Sequence, residues 1–134
     1  MSALALQKTN GKSKIIFFRI DSCPIHEALL NMGMLPNLNG FIYISYALEL
    51  IQEDPESLQH ITKGLYIDIA KNFHTKPTSV ERAIRHAITM TWLRGNRPYI
   101  FHVFHDFIDP DKCIPSNTVF LAGLHNHLKK LSYE

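Results

Sequence analysis

A helical fold organised around a helix-turn-helix is what three features of this chain predict. Apolar residues recur at helical spacing over long stretches, most clearly Val80, Ala83, Ile84, Ala87, Ile88 and Thr91. Proline and glycine punctuate those stretches at Gly33, Pro55, Pro77, Gly95 and Pro98. With 134 residues and 46% hydrophobic content, the chain is long enough for one domain with a real core.

Residues 1–20 are read as an N-terminal arm, and residues 21–134 as the domain. Within the arm, Ile15, Ile16, Phe17 and Phe18 form either a short extended segment or an apolar stretch laid on the domain. The start MSALALQKTNGKSK lacks the sustained apolar core of a secretory signal. No apolar run approaches the roughly 20 residues of a membrane span, so a cytoplasmic protein is expected. A first helix opens near Pro24, where the first turn tolerates proline, with Ile25, Leu29 and Met32 apolar and Gly33 as its stop. A longer helix starts at Asn39 or Gly40, with Tyr43, Ala47, Leu50 and Ile51 as its inward stripe. Asp54-Pro55 ends or restarts it, and residues 58–62 lead into the next unit.

That unit spans residues 65–96. Leu65, Ile69, Ala70 and Phe73 give its first helix one apolar stripe, and the residues from His74 to Pro77 interrupt it. Thr78-Ser79-Val80-Glu81 has the form of a capping box that restarts the helix. With Val80 to Thr91 facing inward, Thr78, Arg82, Arg85, His86 and Thr89 fall on the opposite side, with Glu81 on the flank. Two guanidiniums near a helix start match the way a recognition helix meets base edges. Arginine's planar fork fits the paired acceptors of guanine, and Glu81 is suited to accept from cytosine N4. Gly95 is the expected end of this helix, and Pro98 blocks its simple continuation. Tyr99, Ile100, Val103, Phe104 and Phe107 then support a short helix. Asp109-Pro110-Asp111 is a turn, and Ser116 or Asn117 caps a last helix with Phe120, Leu121, Leu124 and Leu128 inward.

The net charge of +2 says little, but its distribution says more. From His60 to Arg97, seven lysines and arginines face only Asp68 and Glu81, a local balance of +5. From Phe41 to Gln59 there are four acids and no base. Positive charge gathered on the helix-turn-helix is the footprint that phosphate binding needs, and the acidic helix is expected to face away from DNA.

The stretch SVERAIRHAI, followed by WLRGN, resembles the recognition helix of the stage zero sporulation protein A response-regulator family. GFIYISYALELI, ITKGLYIDIAKNF and KCIPSNTVFLAGLHNHL resemble that family's effector domain in the same order, so the likeness covers about residues 23–131. The resemblance implies an all-α domain of six helices that binds double-stranded DNA at a TGTCGAA-like element, often as tandem dimers. It implies base reading by Glu81, Arg82 and Arg85, with Lys76, Thr78, Ser79, His86, Thr89 and Arg94 at phosphates or flanks. Ser79 stands where the family usually has an arginine, which puts one contact in doubt. A homodimer on DNA and the RNA polymerase sigma subunit are further implied partners, in the cytoplasm at the bacterial nucleoid. The segment FHVFHDFI departs from the family pattern near surfaces used for dimerisation and polymerase contact. Full-length members carry a receiver domain of roughly 120 residues. The residues before the likeness are too few for one, so Asp21 is not a phosphoacceptor, and either an excised effector domain or a receiver-less relative is expected.

Other chemistries fit poorly. Of eight histidines, His102 and His105 stand at i, i+3 and His125 and His127 at i, i+2, a spacing that points apart on a helix. Surface histidines and no metal site are expected. Cys23 and Cys113 are expected as buried thiols, and Trp92 as part of the core's rim. No phosphate-binding glycine motif or nucleophile elbow occurs, and Ser79 lies two turns from His86, so neither an enzyme nor a cofactor is expected. The leading expectation is a sequence-specific transcription regulator of the sporulation-initiation type. The alternative is a DNA-binding-impaired interaction module that pairs with a full-length relative through residues 101–107.

Overall fold

The computed structural model describes residues 23–132. They form α1 (Pro24–Asn31), α2 (Asn39–Glu53), α3 (Tyr66–Asn72), α4 (Pro77–Arg94), α5 (Arg97–Phe104) and α6 (Asn117–Ser132). A 3-10 turn (Pro55–Gln59) and a π-helical turn (Ile61–Leu65) link α2 to α3. No strand occurs among the described residues, in agreement with the all-α expectation. The expected N-terminal arm, its short extended segment and Asp21 lie outside the described residues.

Helix α4 is the hub, with α2, α3 and α6 packed on it. Its Val80, Ile84, Ala87, Ile88, Thr91 and Trp92 are buried. Val80, Ile84, Ile88, Thr89 and Thr91 are β-branched and only modest helix formers, so tertiary burial rather than propensity holds this helix. A fully buried aliphatic side chain contributes roughly 1.5–3 kcal/mol. On α2, which packs against α4, Ile44, Ala47, Leu48 and Ile51 are fully buried, while Tyr43 and Leu50 are only partly buried. The inward stripe of α2 is therefore rotated from the expected one. It shifts because Gly40 sits directly on α4, where a Cβ would overlap the Ala83 carbonyl oxygen and come within 2.6 Å of the Ala87 Cβ.

Two helix ends are closed by the same device. Gly33, at φ +88°, follows α1, and Met34 N–H reaches back to the Leu29 carbonyl at 3.0 Å. After α3 the left-handed position is taken by His74 at φ 56°, with Thr75 N–H donating to the Ala70 carbonyl at 2.9 Å. Gly95 ends α4 as expected, but in extended rather than left-handed backbone. Its lack of a side chain serves close approach instead, because a Cβ there would overlap the Met32 and Thr91 carbonyl oxygens. Asn96 N–H donates to the Met32 carbonyl at 2.8 Å, tying the end of α1 to the end of α4.

Several expectations are corrected. The capping box does not form: Pro77 takes the first helical position, Lys76 becomes the N-cap, and no side chain caps it. That places Thr78 inside the helix, while Glu81 bonds Arg85 instead of reaching back. Trp92 is 3% exposed and belongs to the core itself. Its ring packs edge-on against Phe104 at 5.2 Å and Phe120 at 6.0 Å, and its indole N–H donates to the Pro110 carbonyl at 3.1 Å. Helix α5 stops at Phe104, and Phe107 is exposed. His125 and His127 are buried, not on the surface, since α6 turns both towards its neighbours. Cys113 is exposed and Cys23 half-buried at the start of α1, so neither is a buried thiol.

Candidate nucleic-acid interface

The candidate interface is the outward side of α4, with the turn that precedes it. Because α3 and α4 are separated only by residues 73–76, the closed end of α3 sets the direction in which α4 leaves. Underneath, α4 is held by a polar knot as well as by its apolar stripe. The Asn117 amide of α6 donates to the Tyr66 hydroxyl at 2.9 Å and to the Glu81 carbonyl at 3.1 Å. One buried side chain thus joins α3, α4 and α6 at the first turns of α4. Burial raises the Tyr66 pKa against the opposing pull of the Asn117 bond, so this phenol stays neutral.

On the opposite side, Lys76, Thr78, Ser79, Arg82, Arg85, His86 and Arg94 are all exposed, and Thr89 and Glu81 are half-buried. The structure therefore brings the nine predicted site residues onto one helix and its N-cap. Arg82 makes no hydrogen bond or ion pair among the described residues. Arg85, which is exposed, pairs with the half-buried Glu81 one turn earlier. Such an i, i+4 pair is worth only about 0.3–0.5 kcal/mol, so it orients the guanidinium without removing it from use. Neither arginine lies in the interior.

Arg97, counted in the basic stretch, is committed elsewhere. It donates to the Trp92 carbonyl at 3.0 Å and to Asp111 Oδ1 at 2.6 Å, bracing the turn after α4. On the far side, Lys130 bonds Asp106 at 3.1 Å, and this bond and the adjacent His105 hold the Asp106 carboxyl below its ordinary pKa. These charges are structural partners.

Alongside the interface runs an open groove of about 540 Å³, bounded by Thr62, Glu81, Arg85, Thr89, Ser116 and Thr118 among others. Sequence reasoning had no signal for it, since Thr62 and Ser116 come from segments distant in the chain. Among the described residues no three His, Cys, Asp or Glu side chains gather as metal ligands would. His102 and His127 do meet, with ring centroids 5.6 Å apart in an edge-on contact between α5 and α6. No helix among the described residues is long and apolar enough to cross a membrane.

Comparison with protein families bears on what this surface is for. The family model described as sporulation initiation factor Spo0A C terminal matches residues 25–128, from the first helix through most of the last. Six helices, an α4 with a buried underside and an exposed basic face, and a match over nearly the whole described chain agree. The chain belongs to the sporulation initiation factor Spo0A C-terminal family, a family of DNA-binding transcription-factor effector domains.

Proposed function

We propose that this protein is a sequence-specific double-stranded DNA binder acting as a transcription regulator of the sporulation-initiation type. The observation that carries this reading is the exposed face of α4. It bears two surface guanidiniums, one of them unpaired among the described residues, over an underside anchored by Gly40 and Asn117. Arg82 and Arg85 read guanines through paired hydrogen bonds. Glu81 steadies Arg85 and accepts from a cytosine amine. Lys76, Thr78, Ser79, His86, Thr89 and Arg94 contact phosphates or flanks, which positions the helix without specifying sequence. The element bound is TGTCGAA-like, a homodimer forms on it, and the sigma subunit of RNA polymerase is the protein partner, in the cytoplasm at the nucleoid.

Mobility shift on a TGTCGAA-containing duplex and a scrambled duplex, over a salt series, tests this. Preference for the first with steep salt dependence is expected. Arg85→Ala is expected to cost about 1–3 kcal/mol on the preferred duplex and much less on the scrambled one. Equal weakening on both would reassign Arg85 to phosphate.

A second reading has one observation in its favour. Phe101 in α5 and Phe107 just past its end stand 51% and 45% exposed, offering aromatic surface to a partner. In that reading the protein pairs with a full-length relative and modulates it. Self-association with no binding to either duplex would select it.

A further inference from the structure

An α-helix with its side chains is about 10–12 Å across, and the major groove of B-DNA is about 12 Å wide. A helix seated there therefore has a sugar-phosphate strand against each flank. Glu81, Arg85 and Thr89 recur every four residues and so run down one flank of α4, beside the outward Arg82 and His86. That flank is one wall of the 540 Å³ groove. The opposite wall comes from outside the helix pair: Thr62 of the π-helical turn, and Ser116 and Thr118 at the start of α6. A second groove of about 400 Å³ adjoins it, sharing Thr62 and Thr118 and adding Lys63. Thr62, Lys63, Ser116 and Thr118 are all exposed. The one acidic side chain among the described residues lining either groove, Glu81, is engaged by Arg85.

We infer that these two joined grooves seat successive phosphates of one DNA strand, so that the π-helical turn and the start of α6 form a backbone clamp beside the reading helix. The inference rests on the duplex-binding reading. Lys63 supplies the charge, and four hydroxyls (Thr62, Thr89, Ser116, Thr118) supply donors to phosphate oxygens. Because phosphates are the same in every sequence, this clamp sets the height and tilt of α4 and adds nothing to preference.

The test uses the whole protein on the TGTCGAA-containing and scrambled duplexes, with mobility shift over a salt series and interference by ethylated phosphates. Lys63→Ala is expected to weaken binding roughly threefold to tenfold on both duplexes alike, and to lower the salt slope by about one. Lys63→Arg is expected to restore it. Thr118→Glu, which puts a carboxylate where a phosphate would lie, is expected to weaken both by more than tenfold while the unfolding midpoint stays in place. Ethylation of phosphates on one flank is expected to block the wild-type protein, and Lys63→Ala to lose sensitivity at one of them. If the wild-type protein shows sequence preference while Lys63→Ala and Thr118→Glu bind like it, the clamp is overturned and the proposed function stands. If the wild-type protein binds neither duplex, the proposed function falls and takes the clamp with it.

Discussion

Arg82 and Arg97 lie fifteen positions apart in the same basic stretch, and the structure uses them in opposite ways. Arg82, in the first half of α4, is exposed and uncommitted among the described residues. Arg97, just past the end of α4, spends its guanidinium on the Trp92 carbonyl and on Asp111. The first half of α4 keeps its outward charge available over a rigid underside. The junction after it uses charge to hold the chain together. Basic content along a sequence therefore overstates a binding footprint, because part of it is neutralised where the chain turns.

The most severe way to test the rigid underside is to wedge it apart. Gly40→Ala places a methyl group against the Ala83 carbonyl, and α2 has to move off α4. A loss of about 3 kcal/mol is expected from overpacking, read as a drop in the denaturant midpoint. A change below about 0.5 kcal/mol would mean that α2 does not brace α4.

The contrast itself is tested by a matched pair. Arg82→Ala is expected to leave stability within about 0.5 kcal/mol, as surface changes do, and to cost about 1–3 kcal/mol on the preferred duplex. Arg97→Ala is expected to do the reverse. It loses about 1 kcal/mol of stability, discounted for the partial exposure of the pair, and leaves the preference for the TGTCGAA-containing duplex intact. Two variants with the same profile would erase the distinction.

His74 sharpens the comparison at smaller amplitude. Its left-handed backbone is one that glycine adopts without strain, and Gly33 occupies the same position after α1. His74→Gly is expected to raise stability by about 0.5–1 kcal/mol, with DNA preference unchanged, by thermal unfolding and mobility shift. Loss of binding instead would give the His74 side chain a role at the DNA.

The smallest effect lies in the region that pairs its charges. Burial, and then Lys129 one turn on, lower the His125 pKa below 6.5, and its Nδ1 has no hydrogen-bond partner among the described residues. The folded state therefore binds this proton less readily than the unfolded chain. Stability is unpenalised above pH 6.5, declines as pH falls below that value, and levels off once pH passes below the folded pKa. His125→Leu is expected to flatten that decline, visible as a thermal midpoint that changes less between pH 7 and 5.

Much of this was legible without coordinates. The inward stripe of α4 and the outward set of Arg82, Arg85 and His86 follow from one helical period, which needs only local geometry. The stops at Gly33 and Gly95 were legible too, although Gly95 serves contact with Met32 and not a left-handed turn. The capping box was misread because Thr78 and Glu81 carry the right residue types at the right spacing, while Pro77 moved the helix start back by two. The stripe of α2 was misplaced because its orientation answers to Gly40 against Ala83, a contact forty-three positions away in the chain.

By itself, then, the sequence determined which segments are helical, where α1 and α4 stop, and which face of α4 is oily and which is basic, because these depend on neighbours within a turn or two. The tertiary structure alone decided which charges stay available and which are spent, that Asn117 ties Tyr66 to Glu81, and that Thr62, Ser116 and Thr118 gather beside Arg85 with Lys63 in the adjoining groove. Those facts depend on how distant segments pack, and side chains tens of residues apart carry no mark in the sequence that they will meet.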